Sequence, residues 1–254
     1  MKRTKFFARI AFAASALLVA GAAQAAGGHV PMPYKYEPDL GNESSLQRGA
    51  RNFMNYCAGC HSMRQMRYGR IGEDLGIPPE LLKANLMFTS EKPGDPILAA
   101  IPAEAAQWFG QQPPDLTVET RMRGPLWVYN YLMTFYVDSS RPLGTNNLVL
   151  PGASMPHVLW ELQGWQGLAT EEAGHGEAAG HGAHAGPKLV ALSEGKLSPD
   201  EFKKFVGDTV NFMAYAAEPG RAGRESLGIK VMLFLLLFTA LAYLLKREFW
   251  KDVH

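Results

Sequence analysis

Cysteine is nearly absent from this chain: two residues in 254, Cys57 and Cys60. Both fall in one motif, so none remains for a structural disulfide or for an iron–sulfur cluster. Other absences narrow the field further. No basic patch with interleaved aromatics occurs, which argues against a nucleic-acid partner. There is no phosphate-binding glycine loop, no hydrolase triad and no internal repeat. Strict apolar–polar alternation is scarce, so strands should be few.

What is present begins with Cys57-Ala58-Gly59-Cys60-His61, the Cys-x-x-Cys-His spacing of covalent haem attachment. Two thiols about one helical turn apart can each add to a porphyrin vinyl group, and the next residue places an imidazole under the iron. A redox Cys-x-x-Cys pair with a bystander histidine is the alternative. The chain's two ends favour haem, because they supply the compartment in which haem is joined to thiols. Residues 1–25 carry Lys2, Arg3, Lys5 and Arg9, an apolar run over 10–20, and Ala23-Gln24-Ala25, the pattern of a cleaved secretory signal.

A second apolar run covers 227–245, broken only by Lys230. A membrane span needs roughly 17–25 residues, and Lys230 can snorkel to the interface. Phe249 and Trp250 sit where an aromatic belt lies, and Lys246, Arg247 and Lys251 mark that end as cytoplasmic. The expectation is a single-pass protein of the bacterial inner membrane. Its signal peptide is 1–25, its periplasmic domain 26–226, its transmembrane anchor 227–245 and its cytoplasmic tail 246–254. The whole chain has a net charge of +1, yet residues 26–227 hold 17 basic and 22 acidic residues, near −5. Such a surface would steer a basic redox partner or simply aid solubility.

Apolar residues Leu46, Ala50, Phe53, Met54 and Cys57 recur at helical spacing, so a helix from about Ser44 should deliver the thiols, with Gly49 on the same face admitting a close neighbour. Residues 64–114 read as mixed helix and loop, and 121–136 as aromatic-rich and helical near its end. Residues 137–156 read as loop, and 171–187 as a Gly/His-rich insert. Ser198-Pro199-Asp200-Glu201 forms a capping box that opens a late helix, closed by Pro219 and Gly220.

Iron held by one histidine can keep its other face open or fill it. Met63 and Met66 lie too near His61 in sequence to reach that face easily. Met87, Met122, Met133 and Met213 sit in helical or core-like segments. Met155 stands in a loop between Pro151 and Pro156, where a stiff chain can hold a weak ligand. On the residues alone, Met155, His157, another methionine and an open site all remain.

Four segments then carry a resemblance to the bacterial cytochrome c1 family, the haem subunits of the bc1 complex (quinol–cytochrome c reductase). They are residues 46–63 around the haem motif, Pro113-Pro114-Asp115-Leu116, residues 151–156 from Pro151-Gly152 to Met155-Pro156, and Tyr215-Ala216-Ala217-Glu218-Pro219 before the anchor. The resemblance implies a mostly α, class I-like cytochrome c domain with long loops, plus one C-terminal transmembrane helix. It implies one covalently attached haem c, with Cys57 and Cys60 as thioethers, His61 as proximal ligand and Met155 as distal ligand. Pro113 and Pro114 would pack on the proximal face, with a carbonyl there accepting the His61 Nδ1–H. Arg123 would meet the propionates and Tyr129 the haem. The implied partners are cytochrome b and the Rieske iron–sulfur protein in a dimeric complex, with a soluble or anchored cytochrome c as electron acceptor. The alternative roles are a free-standing anchored cytochrome serving a terminal oxidase and a peroxidase-like enzyme with an open iron site. The chain departs from the family in Pro156-His157 after the methionine, in the longer insert at 171–187, and in lacking an extra cysteine pair.

Overall fold

The structure is a computed structural model that describes residues 31–102, 104–169 and 188–251. The expected signal peptide and the 171–187 insert lie outside these residues.

Two crossing helices form the frame. Helix α1 (Glu43–Tyr56) starts where the Asn42 side chain accepts the Ser45 N–H at 3.1 Å, and it buries Leu46, Gly49, Ala50, Phe53 and Met54 on one face. Helix α2 (Tyr68–Asp74), α3 (Pro79–Asn85), α4 (Ala105–Phe109), α5 (Glu119–Arg123), α6 (Pro125–Met133) and α7 (Trp160–Gln163) are short. Helix α8 (Pro199–Ala217) begins in the capping box, with Ser198 and Glu201 satisfying each other's backbone, and it packs along α1.

The crossing of α1 and α8 depends on Gly49. A Cβ there would stand 2.0 Å from the Asp208 carbonyl oxygen and 2.6 Å from the Phe212 Cβ, so only a residue without a side chain permits this approach. Around it, Asp208 accepts from Arg48 Nε at 2.6 Å, from Arg48 Nη2 at 3.0 Å and from the Ser45 hydroxyl at 2.6 Å. A buried carboxylate is tolerable when its oxygens are matched in this way. Phe53 and Phe212, both fully buried, meet at 5.7 Å between ring centroids.

Among the described residues, the strands are three antiparallel pairs: β1 (Met63–Arg67) with β2 (Pro96–Ile97), β3 (Phe135–Val137) with β4 (Thr145–Asn147), and β5 (Gln166–Leu168) with β6 (Leu189–Ala191). The fold is therefore mostly helical, as expected, with one local correction. Residues 121–136 do not end in helix: α6 stops at Met133, and Phe135–Val137 pairs with a strand inside the segment read as loop. Side chains end the helix. The Thr134 hydroxyl donates back to the Asn130 carbonyl at 2.8 Å, and Gln163 and Gln166 donate to the Met133 carbonyl.

Helix α9 (Arg221–Phe249) is unlike the others. Its apolar stretch has no buried residue among those described, and residues 223–249 are long and apolar enough to cross a membrane. Its 29 residues span about 43 Å, more than a typical hydrocarbon core of about 30 Å. The expected anchor, 227–245, lies within it.

Candidate haem site

Helix α1 ends on the motif itself. The Cys57 N–H still bonds the Phe53 carbonyl, and the His61 N–H bonds the Cys57 carbonyl at 2.9 Å, so residues 57–61 form a tight turn. Cys57, Cys60 and His61 line a cleft of about 350 Å³. The same cleft is lined by Pro113, Pro114, Arg123 and Met155.

The His61 ring is aimed by the Pro-Pro-Asp-Leu segment. His61 Nδ1 lies 2.8 Å from the Pro114 carbonyl oxygen. A carbonyl only accepts, so Nδ1 carries the proton and Nε2 keeps a free lone pair. Burial lowers the His61 pKa, outweighing the Pro114 carbonyl, Glu119 and Asp115, which raise it. The imidazole is thus neutral at pH 7, as a metal ligand must be. The segment is tied along its length to the residues after His61. Leu116 N–H donates to the Ser62 carbonyl, and Arg64 N–H to Asp115 Oδ2, each at 2.8 Å. Cys57 is half-exposed by area but sits in the cleft, where desolvation, with Cys60 beside it, pushes the thiol up to about 12.

This donor set fits a c-type haem. Two unpaired thiols, an oriented neutral imidazole and a thioether share one mainly apolar cleft. Arg123 supplies a guanidinium at its edge, with Nε 2.7 Å from Glu119 Oε1 and the guanidinium carbon 4.4 Å from the Trp127 ring centroid.

Known proteins are similar to this chain over most of its length. The model of the Cytochrome C1 family matches residues 39–253. The chain belongs to that family. A cytochrome c1 of Allochromatium vinosum is 52% identical over 217 residues, covering 85% of this chain and 87% of that protein. A protein of Nitrosomonas europaea named ammonia monooxygenase gamma subunit is 44% identical, covering 85% and 86%. A solved chain of a hyperthermophilic respiratory Complex III covers 98% of this chain at 16% identity and a TM-score of 0.48. Cytochromes c1 carry one covalently attached haem c, which agrees with the single Cys-x-x-Cys-His.

Seven of the eight expected site residues line the cleft; Tyr129 does not. Its ring stacks on Tyr36 at 4.5 Å, and its hydroxyl points to the Lys203 carbonyl. The reason is helical phase. On α6, Trp127 and Tyr131 are four residues apart and face the cleft together, stacked at 5.3 Å, whereas Tyr129 lies half a turn away. The tyrosine that lines the cleft is Tyr131. The spacing Arg123, Trp127, Tyr131 was the available signal. Among the other proposed sixth ligands, Met213 also lines the cleft, from α8, and Met122 is exposed. Met63, Met66, Met87 and Met133 are core residues away from it. His157 is buried against Phe135 and Trp165 and does not reach the cleft.

Proposed function

We propose that this chain is the membrane-anchored, electron-carrying subunit of a bc1 complex. It accepts single electrons from a Rieske iron–sulfur protein and passes them to a soluble or anchored cytochrome c, in a dimeric complex with cytochrome b. The observation that carries the reading is the His61–Pro114 bond in a cleft shared with Cys57, Cys60 and Met155. When bound, haem c supplies a reversible one-electron couple. The chain's own residues do the rest. Cys57 and Cys60 retain the group covalently, His61 and Met155 ligate its iron, and Arg123 neutralises carboxylate. Pro113, Pro114, Trp127 and Tyr131 keep water from the cleft. No bond to substrate is made, so none of these residues is catalytic in the chemical sense.

Residues 26–226 stand in the periplasm and 246–254 in the cytoplasm, supported by Lys246 and Arg247 in the last turn of α9 and Lys251 just beyond it. The anchor then keeps the electron carrier at the membrane surface, within reach of a mobile iron–sulfur domain. Family membership disfavours a free-standing shuttle to an oxidase.

Purification from native membranes with haem staining tests the assembly: cytochrome b and the Rieske protein should accompany the chain, and their absence would refute it. Met155→Leu tests the ligand. The reduction potential should fall by more than about 59 mV, a tenfold change for one electron, and the reduced protein should bind carbon monoxide. An unchanged potential would remove Met155 from the iron.

A further inference from the structure

We infer that Asn147 is the positioning residue for Met155, tying the loop that carries the methionine to the wall of the cleft. The inference rests on reading Met155 as an iron ligand. Asn147 ends β4 and is fully buried. Its side-chain oxygen accepts the backbone N–H of Val149 at 2.9 Å and of Leu150 at 3.1 Å. Its side-chain nitrogen donates to the Tyr131 carbonyl at 2.7 Å, and Tyr131 lines the cleft. One planar amide therefore holds the start of the Met155 loop and the cleft wall in fixed relation.

The β3–β4 pairing and the Leu148 N–H, which donates to the Thr134 carbonyl at 3.2 Å, anchor the chain up to the loop, and beyond them little else does so. Among the described residues, the loop between Val149 and Pro156 makes no backbone hydrogen bond to another element; its internal bond is Ala153 N–H to the Leu150 carbonyl. Side chains replace the missing ladder. Asn146 Oδ1 accepts the Gly152 N–H at 2.7 Å, and Arg141 Nη2 donates to the Gly152 carbonyl at 3.0 Å. Beyond Met155, the His157 ring lies parallel to Phe135 with centroids 5.1 Å apart and secures the far end. Among the described residues, Asn147 is the one whose side chain hydrogen-bonds both the loop and α6. Groups that orient a metal ligand act on the metal through it. Without the amide, two loop N–H groups and the Tyr131 carbonyl lose their partners, and the loop gains conformations in which sulfur is withdrawn.

The test uses the full, haem-loaded chain in membranes. Asn147→Ala should weaken the methionine–iron charge-transfer band of the oxidised protein, lower the reduction potential and allow carbon monoxide to bind the reduced form. Covalent haem per polypeptide should stay at the wild-type level. Asn147→Asp keeps the size and the acceptor but loses the donor to Tyr131, so it should shift the same readouts in the same direction, and it serves if the alanine variant does not accumulate. Tyr36→Phe removes a hydroxyl remote from the loop, one that donates to the Gly207 carbonyl at 2.7 Å, and should lower the melting temperature with the band intact. A wild-type band, potential and carbon monoxide resistance in the Asn147 variants, beside loss of the band in Met155→Leu, would overturn the inference and leave the ligand standing. So would a band loss in Tyr36→Phe equal to that in Asn147→Ala. Retention of the band in Met155→Leu would remove the premise itself.

Discussion

His61 is held mostly by backbone, Met155 mostly by side chains. On the histidine side, a helix end runs straight into the ligand, and a second strand of chain, residues 113–117, lies against residues 61–65. It is fastened by the Pro114 carbonyl, by Leu116 to Ser62, and by the Asp115 carboxylate to Arg64. Behind it stands the glycine-tight crossing of α1 and α8. On the methionine side, a hairpin loop hangs from asparagine amides and an arginine. Backbone pairs survive most substitutions, because every residue but proline supplies the same groups. Amide clamps depend on one residue each. The iron's two proposed ligands should therefore differ in fragility: disturbing the histidine side should cost global stability, and disturbing the loop should change the iron's sixth position first.

The strongest challenge to that contrast is Gly49→Ala. The added methyl would overlap the Asp208 carbonyl and drive α8 off α1. Overpacking of this kind costs about 3 kcal/mol or more when the obstacle is backbone. The expected outcome is a large drop in the melting temperature and in haem-loaded protein in membranes. A variant with a wild-type melt would mean that the crossing is not structurally tight. Next in size is Asp115→Ala, which strips the Arg64 and Thr117 N–H groups of their acceptor. It should cost about 1–3 kcal/mol in denaturant unfolding while the methionine–iron band remains, the opposite pattern to Asn147→Ala. Loss of the band in Asp115→Ala would break the distinction between the two sides.

The smallest effect concerns pH. A hydrogen bond from Arg224, with Arg121 3.3 Å away on α5, holds Glu218 below the usual carboxylate range. Its folded pKa is depressed, so its contribution is present above the unfolded value of about 4.5 and is lost as pH falls through the lower folded value. Wild-type protein should lose slightly more thermal stability between about pH 5 and pH 3 than Glu218→Gln. Identical pH dependence in the two would show that this surface cluster contributes nothing to the junction of α5, α8 and α9.

Tyr129 and Tyr131 mark how far linear reading reached into the site. The fold class, the start and end of α8, the close approach at Gly49 and the apolar C-terminal helix were all legible, because each depends on neighbours within a few residues or on one uniform composition. The expected haem-contacting tyrosine, Tyr129, lies outside the cleft, and Tyr131, two residues on, lines it. The choice depended on the phase of a helix whose start is set by Gly124, at φ +89°, and the resemblance carried no information about that phase. The β3–β4 pairing was hidden for a related reason. Phe135 and Asn147 meet only because the turn between them closes, and neither segment alternates long enough to declare itself.

By itself, the order of residues determined that two thiols and an imidazole would stand one turn apart at a helix end, and that the chain would close with a helix too apolar for water. Those outcomes are local: bond geometry and transfer free energy act on adjacent residues wherever the rest of the chain goes. Only the folded chain decided that Pro114, Tyr131 and Met155 would share a cleft with that pentapeptide, and that two asparagines would hold the methionine's loop. Such meetings join segments far apart in sequence, and they arise from packing two helices around one glycine, which no stretch of the chain specifies alone.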